Sequence, residues 1–127
     1  QLEHAEDITN KRLAIWKTYH DAFESLEQKG ELRRPIIPAE CQHNAHMYYI
    51  LLDSLEYRTK MIEKFKKQDI HPVFHYIPLH NAPAGKKFAR THGSLKHTED
   101  LSDRLLRLPL WVGLAEQQHK VLEVMGV

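Results

Sequence analysis

The sequence predicts a small α/β domain in which a sheet of few strands is covered by helices. Apolar residues recur at helical spacing near the start, and a branched and aromatic run in the middle is typical of a buried strand. The 127 residues contain 42% hydrophobic side chains, which is enough to fill one modest core. These patterns do not determine whether the strands run parallel or antiparallel.

The first predicted element is a long amphipathic helix. Gly30 is predicted to end it, because glycine readily adopts the left-handed conformation that terminates helices. Pro35 and Pro38 then favour an extended chain. The predicted inward stripe consists of apolar residues at three- and four-residue spacing, with two further ones before it: Leu13, Trp16, Tyr19 or its neighbour His20, Phe23 and Leu26, extended backwards by Leu2 and Ile8.

A buried strand and a second helix are predicted next. Residues 44–52 form a continuous apolar run, which implies burial on both faces of the strand. Asp53 or Ser54 is expected to cap a helix that extends to about residue 68. The inward face of this helix is assigned to apolar residues and its outer face to basic ones: Leu55, Met61, Ile62 and Phe65 inside, and Arg58, Lys60, Lys64, Lys66 and Lys67 outside.

The second half of the chain is predicted to contain a strand, a long loop and two more helices. The strand covers residues 71–77, and the loop covers residues 78–97. A loop of that length is uncommon inside a compact domain and is usually functional or disordered. The helices are placed at residues 98–106 and 115–125, with a short extended segment at 108–111 between them.

Composition excludes several classes of protein. The net charge of +1 provides no long-range attraction to nucleic acid or to an anionic membrane. Cys41 is the only cysteine, so a disulfide framework is excluded and a reducing, cytoplasmic location is expected. No run approaches the roughly 18 consecutive apolar residues of a membrane span, and no secretory leader is recognisable.

The segment Val-Phe-His-Tyr-Ile-Pro-Leu-His at residues 73–80 is the sharpest candidate site. Strand alternation places His75 on one face and Phe74 and Tyr76 on the other. Because Pro78 ends the strand, His75 and Tyr76 are expected beside the long loop, where imidazole and phenol groups can bind a polar ligand. The alternative is structural: Tyr76 packs in the core, and His75 bonds to a backbone carbonyl.

Metal binding by the histidines is the weaker hypothesis. His43 and His46 have opposite parity on a strand and therefore point apart. His71 and His75 share parity, but they lie about 13 Å apart along an extended chain. The sequence also has no His-Glu-x-x-His helix, no Gly-x-Ser-x-Gly elbow and no phosphate-binding glycine loop. No metal site is therefore expected.

Several short motifs occur in order along nearly the whole chain. They are Gln1-Leu2 with Arg12 and Tyr19, His-Met-Tyr-Tyr-Ile at 46–50, the segment 58–70, His-Tyr-Ile-Pro-Leu-His at 75–80, and Ser-Asp-Arg-Leu-Leu-Arg-Leu-Pro-Leu at 102–110. Together they resemble the C-terminal region of the DegT/StrS-type sugar-nucleotide aminotransferases, which use pyridoxal phosphate and have the aspartate-aminotransferase fold.

The resemblance implies an α+β small domain with a mainly antiparallel sheet. Residues 1–29 would form the interdomain helix and residues 30–127 the sheet-and-helix body, and the large domain that binds pyridoxal phosphate would be absent. Family members hold the cofactor through a lysine in a Ser-x-His-x-x-Lys type motif, which this sequence lacks. The resemblance therefore implies no catalytic residue and no bound cofactor on this chain, although the intact enzyme would use pyridoxal phosphate.

The resemblance also implies a substrate site and partners. His75, Tyr76 and His80 would border the sugar-nucleotide site, with His46 and Tyr48 on the adjacent strand. The intact enzyme would act as a homodimer on a sugar nucleotide and glutamate, without nucleic acid or membrane partners. Two alternatives remain open: a stand-alone ligand-binding module, and a protein-interaction domain that docks through its first helix.

Overall fold

The computed structural model describes residues 2–127. Gln1, which the sequence analysis includes in the first helix, lies outside the described residues. The helices are α1 (Ala5–Ala22), α2 (Glu24–Gln28), α3 (Leu55–Lys66), α4 (Pro83–Phe88), α5 (Lys96–Arg104) and α6 (Gln118–Met125). The strands are β1 (Tyr48–Leu51), β2 (Val73–Phe74) and β3 (Leu105–Leu108), and short 3-10 turns occur at Leu2–His4, Leu79–Asn81 and Val112–Leu114.

The three strands form one antiparallel sheet in the order β1-β3-β2. The central strand β3 pairs Leu108 with Tyr48 of β1, and Leu106 with Phe74 of β2. Arg33 adds a single antiparallel bridge to Leu51 at the other edge. The small antiparallel sheet with a long N-terminal helix confirms the predicted α+β class.

Aromatic side chains of α1 pack directly onto the first strand. Tyr19, Phe23 and Tyr48 are fully buried, and the rings of Tyr19 and Tyr48 have centroids 5.1 Å apart. The Tyr19 hydroxyl donates a hydrogen bond of 3.0 Å to the carbonyl of Pro109, at the end of β3. Burial raises the pKa of both tyrosine hydroxyls. The long helix is therefore part of the core and not a separate appendage.

The predicted stripe of α1 is confirmed in its central part and wrong at its start. Trp16 and Leu26 are buried with the aromatic residues, whereas Leu2 is 92% exposed in the first 3-10 turn. Leu2 precedes α1 and has no sheet beneath it, so the stripe does not extend that far. Gly30 adopts a left-handed conformation (φ 75°) just after the helical segment, as predicted.

Helix α3 begins as predicted, and Met61, Ile62 and Phe65 of its predicted inner face pack in or against the core. The Ser54 hydroxyl accepts a hydrogen bond from the Tyr57 backbone and caps the helix. Arg58 is buried and Leu55 is 46% exposed, so both of these assignments were wrong. Arg58, Met61 and Phe65 are the buried residues of α3. Their spacing of three and four residues places them on one face of the helix.

The strands are shorter than predicted, and the long loop is partly helical. β1 covers four residues of the predicted 44–52, and β2 covers two of the predicted 71–77. The segment 78–97 contains a 3-10 turn and α4, with Pro83 in the first helical turn, where a missing N–H costs nothing. Gly85 lets α4 pack on this turn, because a Cβ there would lie 1.6 Å from the carbonyl oxygen of Leu79.

The C-terminal elements are shifted from their predicted positions. Helix α5 covers Lys96–Arg104 instead of 98–106, and the chain continues directly into β3 at Leu105. Pairing with β1 satisfies the backbone of residues 105–108, so the extended segment begins before the predicted 108–111. Helix α6 begins at Gln118, three residues later than predicted. Over residues 2–127, no helix combines the length and apolar character needed to span a membrane.

Candidate functional site

A groove lies between helix α5 and the segment that begins with the second strand. Its volume is about 930 Å³. One wall is the segment 73–79 and the other is Thr98 and Ser102 of α5, while Arg107 of β3 lies beside Val73 in the sheet. The groove is thus mostly apolar, with hydroxyl groups and one guanidinium at its edges, a combination typical of small-molecule sites.

His75 and Tyr76 stand together in this groove. Their ring centroids are 4.9 Å apart and the ring planes meet at 70°. Both side chains are exposed, Tyr76 to 71%. The structure therefore does not support the alternative in which Tyr76 packs in the core, and it leaves an imidazole and a phenol available to a ligand.

His80 lies beside the groove and contacts helix α5. Its Nε2 is 3.2 Å from a carboxylate oxygen of Glu99, and the Asn81 amide donates to the same oxygen at 3.1 Å. Hydrogen bonds from Asn81 and His80 hold the pKa of the Glu99 carboxyl below its usual value. The His80 side chain is only 15% exposed, so in this chain it fixes the turn at residues 79–81.

His46 and Tyr48 are not brought into the groove. His46 is exposed at a separate small cavity of about 190 Å³, which shares Val73 and Arg107 with the groove. Tyr48 is fully buried, and its hydroxyl makes no hydrogen bond within the described residues. The structure thus groups His75 and Tyr76, places His80 next to them and keeps Tyr48 in the core.

Arg58 is the residue at this site that the sequence analysis assigned to the solvent. Its guanidinium carbon lies 5.1 Å from the centre of the Phe74 ring, and its Nη1 donates a 2.8 Å hydrogen bond to the Ser102 carbonyl. A signal was present, because an arginine three residues before Met61 and seven before Phe65 occupies the apolar stripe of the helix.

The groove does not fit covalent attachment of pyridoxal phosphate, which needs a lysine amine near the reacting atoms. No lysine is among its lining residues in the described part of the chain. Lys11, Lys17 and Lys60 instead pair with exposed carboxylates on their own helices. Between residues 2 and 127, the histidine, cysteine, aspartate and glutamate side chains form no group of three or more able to hold a metal ion.

Comparison with known proteins gives a consistent result. The family model described as the DegT/DnrJ/EryC1/StrS aminotransferase family matches residues 1–126. An uncharacterized protein of Methanocaldococcus jannaschii is 37% identical over 115 residues, which cover 87% of this chain and 29% of the relative.

Solved structures agree over almost the full chain. An aminotransferase of the DegT DnrJ EryC1 StrS type from Brucella abortus has 28% identity and a TM-score of 0.82, covering 98% of this chain and 32% of its own. NtdA from Bacillus subtilis, solved with the bound cofactor PMP, has 24% identity and a TM-score of 0.79. The match covers 94% of this chain and 28% of the NtdA chain. The chain therefore spans about a third of the length of these proteins.

Proposed function

This chain belongs to the DegT/DnrJ/EryC1/StrS aminotransferase family, and on that basis we propose that it forms the small domain of a sugar-nucleotide aminotransferase. Residues 1–29 serve as the interdomain helix and residues 30–127 as the C-terminal sheet-and-helix body. The large domain lies on polypeptide outside these 127 residues and binds pyridoxal phosphate. The intact enzyme is a cytoplasmic homodimer.

The reaction we propose transfers an amino group from glutamate to dTDP-4-oxo-6-deoxy-D-glucose. The product is dTDP-4-amino-4,6-dideoxygalactose, as in the transaminase of enterobacterial common antigen synthesis. Support comes from two stretches of sequence that resemble that enzyme. They are Asn-Ala-His-Met-Tyr at 44–48, and the run 74–80 followed by Ala84-Gly85. Pyridoxal phosphate supplies the amino-transfer chemistry when bound, and no step of it is assigned to this chain, because its groove contains no lysine.

The observation that carries the proposal is the exposed pair of His75 and Tyr76 in the apolar groove. An imidazole and a phenol can each donate to and accept from the hydroxyl groups of a hexose. The apolar wall of residues 73–79 can pack against the flat faces of the sugar and base. These groups orient the substrate and move no proton, and correct orientation is itself a large contribution to rate.

The remaining predicted residues act around this pair. We propose that His80 supports the groove through Glu99, and that His46 lies at the entrance on the first-strand side. Tyr48 contributes by packing α1 against β1, because its ring is fully buried in this chain.

The full-length protein with His75→Ala or Tyr76→Phe tests this function. We expect the KM for the sugar nucleotide to rise by about tenfold, while the half-reaction with glutamate keeps its rate. Tyr57→Phe is the matched control, because Tyr57 is an exposed tyrosine on α3 that does not line the groove. Unchanged turnover and unchanged affinity in both groove variants would refute the assignment.

A further inference from the structure

One buried arginine connects the two walls of the groove. Arg58 of α3 is 9% exposed, and its Nη1 donates to the carbonyl of Ser102 on α5 at 2.8 Å. On its other side the guanidinium lies over the ring of Phe74 on β2, 5.1 Å from the ring centre. Phe74 of β2 and Ser102 of α5 both line the groove, whereas Arg58 is not one of its lining residues.

The strand that carries Phe74 has little other support. β2 contains two residues, and it pairs with one neighbour through Val73↔Arg107 and Phe74↔Leu106. Because so short a strand at a sheet edge is held weakly by its ladder alone, the contact between Phe74 and the guanidinium adds an anchor. His75 and Tyr76 follow Phe74 directly, so the anchor also fixes the backbone from which they project.

Stability alone does not explain an arginine at this position. Burial lowers the pKa of Arg58, and its Nε is buried without a hydrogen-bond partner in the described chain. A buried cation with an unsatisfied donor is costly, and an apolar side chain of similar volume often packs at least as well. The guanidinium instead fixes two neighbours relative to each other. Its planar group donates a hydrogen bond to the Ser102 carbonyl, while its face lies over the Phe74 ring.

We propose that Arg58 is a positioning residue for the sugar nucleotide, holding Phe74 and Ser102 at a fixed separation so that His75 and Tyr76 meet the substrate. This inference rests on the proposed function. Arg58 does not touch the substrate itself. It acts through the two groove walls.

The test uses the full-length protein with Arg58→Met, Arg58→Lys and, as a control, Lys64→Met. Lys64 also lies on α3 and donates to a backbone carbonyl, but its acceptor is Val124 of α6, which does not line the groove. We expect both Arg58 variants to raise the KM for the sugar nucleotide by about tenfold and to leave the glutamate half-reaction unchanged. Lys64→Met should change neither. Arg58→Lys keeps the charge without the planar group, and it carries the test if Arg58→Met does not fold.

Hydrogen exchange separates this inference from the proposed function. Residues 73–79 and 98–102 should exchange faster in both Arg58 variants than in the unsubstituted protein, whichever substrate the enzyme uses. If the full-length protein does not accept the sugar nucleotide, the proposed function fails, and the exchange result alone decides the role of Arg58. Unchanged exchange in these segments overturns the inference. An equal loss in both half-reactions also overturns it, because that pattern indicates general destabilisation.

Discussion

His80 and Glu99 are 19 residues apart in sequence, and the imidazole Nε2 of one lies 3.2 Å from a carboxylate oxygen of the other. The Asn81 amide donates to the same oxygen. A single carboxylate on α5 therefore holds the turn at residues 79–81. This turn connects the groove wall of residues 73–79 to α4, so Glu99 fixes the end of that wall.

Removing this carboxylate should release the turn. In Glu99→Ala, we expect residues 79–88 to exchange their amide hydrogens several-fold faster, while the core strands β1 and β3 keep their protection. Glu116→Ala is the control, because Glu116 is an exposed carboxylate that makes no hydrogen bond to this turn. Equal exchange in the two variants would show that the carboxylate does not hold the segment.

The same contact should depend on pH in a defined direction. Because its pKa in the folded protein is lower than the ordinary value of 4.5, Glu99 contributes stability that is complete above pH 4.5. This contribution is lost as the pH falls through the lowered pKa. The resonance of the Asn81 side-chain amide should therefore shift as the pH falls below about 4.5. If this resonance does not change below pH 4.5, the account is contradicted.

Removing the hydroxyl of two buried tyrosines should change the free energy of unfolding by different amounts. Tyr19→Phe removes the hydrogen bond to the Pro109 carbonyl, so it should destabilise the chain by about 1–2 kcal/mol. Tyr48→Phe removes a buried hydroxyl without a partner, so its effect should be close to zero or stabilising. Denaturant unfolding of the two variants compares them directly, and a larger loss for Tyr48→Phe would be inconsistent with this packing.

Gly85 should be required for the packing of α4. A Cβ at this position would lie 1.6 Å from the Leu79 carbonyl oxygen, so Gly85→Ala must displace α4 from the turn. Limited proteolysis should then cut within residues 79–88. The matched control is Gly113→Ala, whose Cβ would lie 3.2 Å from the side chain of Trp111, an exposed ring that can move. Equal cleavage in both variants would mean that the close approach is not needed.

The parts of the fold that follow from local chemistry were predicted well. The aromatic stripe from Trp16 to Phe23 and the left-handed Gly30 each depend on residues close together in sequence. The same is true of the Ser54 cap. His75 and Tyr76 are exposed, but β2 ends at Phe74, so the strand end predicted from Pro78 was wrong.

The parts that depend on distant residues were not predicted. Leu105 and Leu106 were assigned to the helix at 98–106, but pairing with β1 places them in a strand. Arg58 lies on the apolar stripe of its helix, but its partners Phe74 and Ser102 are distant in sequence and reach it only in the folded chain. In both cases a tertiary contact overrides a local preference. The helix α4 is different, because Pro83 in its first turn is a local signal for a helix start.

The central claim is that this chain forms the sugar-facing side of a cleft whose cofactor is attached elsewhere. Borohydride reduction of the full-length protein with pyridoxal phosphate fixes the cofactor to its lysine, and mass spectrometry of the peptides then locates that lysine. We predict one stoichiometric label on a lysine outside these 127 residues. A stoichiometric label on a lysine within them, or no label at all, would contradict the account.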